Sequence, residues 1–279
     1  MLKKISIILT LILFSCWILF CLAVYHFPKY FFYNPSNQKA LIANAIANDF
    51  PAQEVKYKSQ DGTILYGWYI APKDKDKVIV FYHGNSFNIE AFYHKLTPFV
   101  EKGYGVFIGE YRGFGGIKGE ISEKNLANDA VAAVDYLYTQ GYSNDRLILY
   151  GMSLGSFTSI YTANKLGKTS PFAALILEVP FDSLLNVVKQ RIIPLFPFDL
   201  IVKDKYDNTA LVADIKSPIF IMGASRDRVV PIERAKNLFK LANEPKKMLT
   251  YSGASHSSLY NYRNWRDILK WLEANEKTK

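Results

Sequence analysis

Five short, almost unbroken apolar runs constrain the fold of this chain more than any other feature. They are KVIVFYHG at 77–84, YGVFIGEY at 104–111, RLILYG at 146–151, AALILEVP at 173–180 and SPIFIMG at 217–223. A strand with one wet face alternates apolar and polar side chains, whereas a strand apolar throughout is covered on both faces. Stretches of helical character follow at 89–101, 123–140, 154–166 and 232–242, and KKMLTYS at 246–252 precedes an amphipathic stretch at 260–276. Such alternation predicts an α/β fold, a mostly parallel central sheet with helices on both faces. QEVKYKS and TILYGWYIA, joined at Gln60-Asp61-Gly62, predict a leading hairpin and hence an antiparallel edge.

The N-terminus obeys a different rule. After Lys3 and Lys4 there is no Lys, Arg, Asp or Glu until Lys29. About 20 apolar residues cross a bilayer core as a helix. The run exceeds an ordinary signal-peptide apolar region, and no small-x-small cleavage site follows it. A lipoprotein signal ending at Cys16 is disfavoured by the bulky Phe14. Residues 5–28 are therefore expected to be a transmembrane signal anchor, with 1–4 as a basic flank and 29–53 as a linker. Tyr25, Tyr30, Phe31, Phe32 and Tyr33 are expected to form an interfacial aromatic belt. The expected topology is N-terminus inside and domain on the non-cytoplasmic side, although Lys29 and Lys39 oppose that charge bias.

Residues 54–279 have the length of one domain. With 49% hydrophobic residues overall, a sizeable core can form. The net charge of +9 is spread without a basic stripe, so nucleic acid is not an expected partner. Cys16 and Cys21 both lie in the apolar run, which leaves the domain without a disulfide, a thiolate metal site or a cysteine nucleophile. Neither metal nor cofactor is expected, and oligomeric state is not predicted. Residues 181–213 interrupt the rhythm with RIIPLFPF. They read either as a crossover helix with a loop or as a small cap over the strand ends, where a lipid or acyl chain would lie.

The chemistry centres on Gly151-Met152-Ser153-Leu154-Gly155. G-x-S-x-G alone is a modest signal, but here a strand precedes it and a helix follows at once, the context a nucleophile elbow requires. A serine hydroxyl needs a base, and the base needs an orienting acid. Of the four histidines, His26 lies at the membrane boundary, His83 ends a strand and His94 falls within a predicted helix. His256, in SGASHSSLY after the last strand, is on the sheet edge where strand C-termini gather. Asp227, in GASRDRVVP, lies past a strand end on that edge, and Asp182 and Asp214 compete with it. The order Ser…Asp…His is that of α/β-hydrolases. The oxyanion donors are expected to be the N–H of Leu154 and that of Asn85, after the turn at Gly84.

Together FYHGNS, GEYRGFGGIKG, YGMSLGS, GASRDRVVP and SGASH resemble the α/β-hydrolase superfamily of serine hydrolases over about 54–275. The likeness is to its membrane-anchored, small-cap branch of ABHD-type and acyl-protein thioesterase-like enzymes. This resemblance implies a Ser153, Asp227, His256 triad with Asn85 and Leu154 as oxyanion donors, acting on an ester or thioester of a small-molecule or lipid substrate. It implies a structural turn at Arg112 and Gly113. Where relatives often carry Asn-Asp after the histidine, this chain has Ser257 and Ser258. A peptidase of the same fold and a non-catalytic membrane-tethered binding module are the alternatives.

Overall fold

The computed structural model describes residues 2–191 and 196–276. The apolar N-terminal run forms α1 (Leu2–His26), long and apolar enough to cross a bilayer. A short turn α2 (Lys29–Phe32), strand β1 (Asn34–Pro35) and helix α3 (Ile42–Ala47) lead to the hairpin β2 (Gln53–Lys58) and β3 (Ile64–Ile70). The alternating part follows with β4 (Val78–Tyr82), β5 (Ser86–Phe87), α4 (Thr97–Glu101), β6 (Gly105–Gly109) and α5 (Glu123–Thr139). Next come β7 (Leu147–Met152), α6 (Leu154–Leu166) and β8 (Ala174–Glu178), then the short helices α7 (Leu184–Arg191), α8 (Phe198–Ile201) and α9 (Thr209–Val212). The chain closes with β9 (Ile219–Ala224), α10 (Ile232–Leu241), β10 (Lys246–Tyr251) and α11 (Asn264–Glu276).

The main sheet has eight strands in the order β10-β9-β8-β7-β4-β6-β3-β2. From β6 to β10 every pairing is parallel, and β3 runs antiparallel to both β6 and β2. Side chains of a strand alternate between faces, and the core divides accordingly. Val78, Val80 and Tyr82 pack with Leu126 of α5 and Phe157 of α6 on one face. Ile79 and Phe81 pack with Phe99 of α4 and Ile268 of α11 on the other. This is the α/β-hydrolase architecture.

Two predicted helices are shorter than their sequence patterns. Residues 89–101 form 3₁₀ turns at Ile89–Ala91 and Tyr93–Lys95 before α4. Asn88 caps the first turn by accepting from the Glu90 N–H, and Pro98 removes a donor from any longer helix. The last helix begins at Asn264 because Arg263 takes a left-handed conformation (φ 58°). Ile192, Ile193, Pro194 and Leu195 of the expected apolar cap stretch lie outside the described residues.

Lys95 is drawn into the core. Its ammonium meets the Glu178 carboxylate at 2.8 Å, and their side chains are 5% and 0% exposed. Tyr150, kept protonated by burial and by Glu178, donates its phenol to the same carboxylate. Removing one partner of a buried pair strands the other charge at a cost of about 3–5 kcal/mol. Lys95→Met is therefore expected to lower the melting temperature by several degrees, and Lys95→Met with Glu178→Gln to recover most of the loss. Differential scanning calorimetry checks both, and equal melting of wild type and Lys95→Met would contradict the assignment.

Candidate active site

β4 and β7 are neighbours at the centre of the sheet, but the chain leaving β4 returns to that sheet as β6 on one side and that leaving β7 as β8 on the other. Such a switch opens a crevice at the strand C-termini. The loop after β4 supplies Asn85, and the turn after β7 supplies Ser153.

Ser153 sits at φ 53°, ψ −116°, a conformation that costs a side-chain-bearing residue of order 1–3 kcal/mol. Its neighbours hold it there. A Cβ at Gly155 would overlap the Tyr82 carbonyl oxygen, and one at Gly151 would overlap the Gly155 carbonyl oxygen and Ser159 Oγ. The Ser153 N–H donates to the Glu178 carbonyl at 2.9 Å. Helix α6 starts at Leu154, whose N–H has no intrahelical acceptor and carries part of the helix's positive end.

The structure brings Ser153, His256 and Asp227 together. His256 Nδ1 lies 2.7 Å from Asp227 Oδ2, and His256 Nε2 lies 2.9 Å from Ser153 Oγ. A carboxylate oxygen accepts, so the tautomer that satisfies both contacts donates from Nδ1–H to Asp227 and accepts the serine O–H at Nε2. Asp227 Oδ1 accepts from the N–H groups of Val229 and Val230, each at 2.8 Å. Its side chain is only 2% exposed. The loops that carry Asp227 and His256 are tied together, with the Arg226 N–H donating to the Ala254 carbonyl at 2.9 Å. Ser258, two residues past His256, accepts from the Ser255 N–H at 2.8 Å and so tightens the turn that presents His256.

The competing groups are engaged elsewhere. Asp182 accepts from Arg234 at 3.1 Å, from Asn237 at 3.2 Å and from the Ser183 N–H at 2.7 Å. Asp214 is exposed. His83 is fully buried, with its ring nitrogens 2.9 Å from Glu110 and 2.8 Å from the Gly84 carbonyl oxygen. His94 packs edge-on against Tyr260. Arg112 is buried between Asp129 and Asp61 and organises its turn.

Asn85 is held by the segment that follows α1. Its side-chain N–H donates to the Phe32 carbonyl at 2.8 Å, and its carbonyl accepts from the Asn34 N–H at 2.9 Å. β1 then pairs with β5, and the Ser36 N–H donates to the Phe87 carbonyl at 2.9 Å. Phe32 and Tyr33 consequently leave the expected aromatic belt. Tyr33 is buried and shares a hydrogen bond with Tyr206; burial raises both phenols well above their ordinary range, so the pair stays neutral. Tyr25, Tyr30 and Phe31 stay exposed.

A narrow cleft of about 70 Å³ opens at Ser153. Phe32, Tyr33, Asn85 and Leu154 form one side, and Phe181, Leu184, Val187, Val229 and Val230 form the rest. The apolar cleft wall was not legible in the sequence, because it comes from a linker, a cap helix and a loop distant in the chain. Glu178, a charge ending an apolar strand, was visible, but its partner Lys95 was not.

Fold and geometry define a serine hydrolase of the α/β-hydrolase fold. A family model, the prolyl oligopeptidase family, matches residues 90–278, and the chain belongs to that family. Among curated proteins it is similar to YfhR of Escherichia coli (28% identical, covering 76% of each chain). It is also similar to a membrane protein of Saccharomyces cerevisiae (27% identical, covering 79% of this chain and 78% of that one). Among solved structures, the Pyrococcus furiosus esterase Pf2001 superposes with a TM-score of 0.67 at 19% identity, covering 86% of this chain and 97% of that one. An acetyl xylan esterase from Paenibacillus sp. R4 superposes with a TM-score of 0.64 at 19% identity, covering 87% and 97%.

The crowding at Gly155 generates a direct test. Gly155→Ala is expected to push α6 away from β4, cost about 1–3 kcal/mol and abolish labelling of Ser153 by a fluorophosphonate probe. Wild-type labelling and melting in Gly155→Ala would show that the turn tolerates a side chain there.

Proposed function

We propose that this chain hydrolyses carboxylic esters or thioesters through an acyl-enzyme on Ser153. The observation that carries the proposal is the continuous hydrogen-bond chain from Ser153 through His256 to Asp227, opening on an apolar cleft. In the first step Ser153 Oγ bonds to the carbonyl carbon as its proton passes to His256 Nε2. The carbonyl π pair moves to the oxygen, and the N–H groups of Leu154 and Asn85 stabilise the oxyanion. As the oxyanion collapses, the bond to the leaving oxygen or sulfur breaks, and His256 returns its proton to that atom. Water then attacks the acyl-enzyme, losing a proton to His256, and the Oγ–carbon bond breaks as His256 returns that proton to Oγ, releasing the acid and restoring the free serine. Asp227 holds the ring in the tautomer that accepts at Nε2.

Membership in the prolyl oligopeptidase family favours a peptidase as the second reading. The cleft argues for esters. None of the described residues lining it carries a charge to receive a peptide terminus. We further infer that α1 anchors the chain in a membrane with residues 54–279 as the hydrolase domain on the non-cytoplasmic side. Protease protection in sealed vesicles tests that side.

Fluorophosphonate labelling and p-nitrophenyl butyrate turnover test the chemistry. Ser153→Ala is expected to lose both. Asp227→Asn is expected to lower kcat by about 10⁴-fold, whereas Asp182→Asn is expected to stay within about twofold while melting earlier because Arg234 loses its partner. Labelling of Ser153→Ala at the wild-type level would overturn the mechanism. A higher kcat/KM for prolyl p-nitroanilides than for esters would replace it with peptide hydrolysis.

A further inference from the structure

The cap does not stand apart from the apolar helix. Val24 is buried against the cap, in one cluster with Val188 of α7 and with Phe198 and Ile201 of α8. Phe196 stacks on Trp17 with centroids 6.2 Å apart and tilts against Phe20 at 4.6 Å. The Lys203 ammonium lies 3.7 Å from the centre of the Tyr25 ring.

The distances along α1 decide where this leaves the cap. From Ile5 to Val24 the helix rises about 30 Å, the thickness of a bilayer's hydrocarbon core. The part clad by the cap, Trp17 to Val24, rises about 10 Å. If the apolar stretch fills the core, the cap's aromatic tip lies beside the last part of it, at the acyl–headgroup boundary. The exposed side chains suit that depth. Leu200 of α8 is 75% exposed, Tyr30 is 81% exposed and Phe27 is 58% exposed. Exposed Lys29, Lys203 and Lys205 lie on or beside these segments and can meet anionic headgroups, while Lys189 pairs with Asp199 at 2.6 Å and Glu123 acts on the half-buried Asp204.

Helix α7 connects this face to the chemistry. Leu184 and Val187 line the cleft at Ser153, while Val188, the residue after Val187, packs on the α1 side, where Leu184 also touches. Phe32 lines the cleft and also packs in the α1 cluster. One layer of side chains thus separates the cleft from α1.

We propose that the face formed by α2 and α8 docks into the bilayer that α1 crosses, and that the cleft takes its acyl ester from that bilayer. The substrate class is then an ester or thioester whose acyl chain resides in an anionic membrane. The proposal rests on α1 spanning the bilayer and on the hydrolase reading above.

The test uses the full chain with Cys16 and Cys21 changed to Ser, reconstituted in phosphatidylcholine–phosphatidylglycerol nanodiscs. A single cysteine at Leu200, at Tyr30 or at Asp145 carries an environment-sensitive fluorophore. Asp145 precedes β7, on the opposite edge of the sheet from Ser153. Nitroxide-labelled lipid is expected to quench the probe at 200 and 30 by about twofold or more and to leave 145 unchanged, as interfacial burial of about 5–10 Å requires. In the unlabelled chain, Leu200→Asp and Tyr30→Ser are expected to lower turnover of a bilayer-held fluorogenic acyl ester by about tenfold. Turnover of water-soluble p-nitrophenyl acetate should stay within about twofold. Absence of quenching at both sites overturns the docking, as does equal loss on both esters in both variants. Flotation after an alkaline wash reports the anchor separately, and the soluble ester reports the chemistry separately.

Discussion

The turn at Ser153 is the constraint on which the rest of the site depends. Its backbone is held in a conformation that a serine disfavours, with β7 on one side and α6 on the other. Backbone approaches backbone so closely at Gly151 and Gly155 that only hydrogen atoms fit. The central strands and α6 thereby form a rigid mount, and the hydroxyl is lifted into the crevice where β4 and β7 part. The strain is supported by the parallel sheet and its two apolar faces, which makes core packing a determinant of the geometry at Ser153.

Around that mount the groups are drawn from loops, and each loop is tied down by its neighbour. Asp227 is fixed by two backbone N–H groups, His256 by the Ser258 turn, and the two loops by a shared backbone bond. Asp182 has the same chemistry and a comparable place after a strand, but Arg234 and Asn237 occupy it. The difference between a proposed catalytic carboxylate and a structural one is here a matter of which partner arrives, not of residue type.

The sheet was legible because apolar strands covered on both faces leave a pattern that needs no knowledge of long-range contacts. The elbow was legible for a related reason, since its strand, turn and helix are contiguous in the chain. The pattern of residues 89–101 predicts one helix, but Glu110 and Glu178, far along the sequence, recruit the Ile89 N–H and Lys95. Composition alone places Phe32 and Tyr33 in a membrane belt. Only the pairing of β1 with β5 and the contact with Tyr206 turn them toward the cleft. Short-range patterns were readable, and partners chosen by tertiary packing were not.

The pairing of β1 with β5 has a further consequence. A tether is usually an exchangeable part, and a domain cut from its tether keeps its machinery. If α1 is the tether proposed above, the residues that follow it are also a brace for the loop that carries Asn85. A proteolytic cut after Ser36 would release the domain and remove the brace in one event. Shedding from the membrane would then act as inactivation, and a soluble form that retains the brace must begin before Phe32.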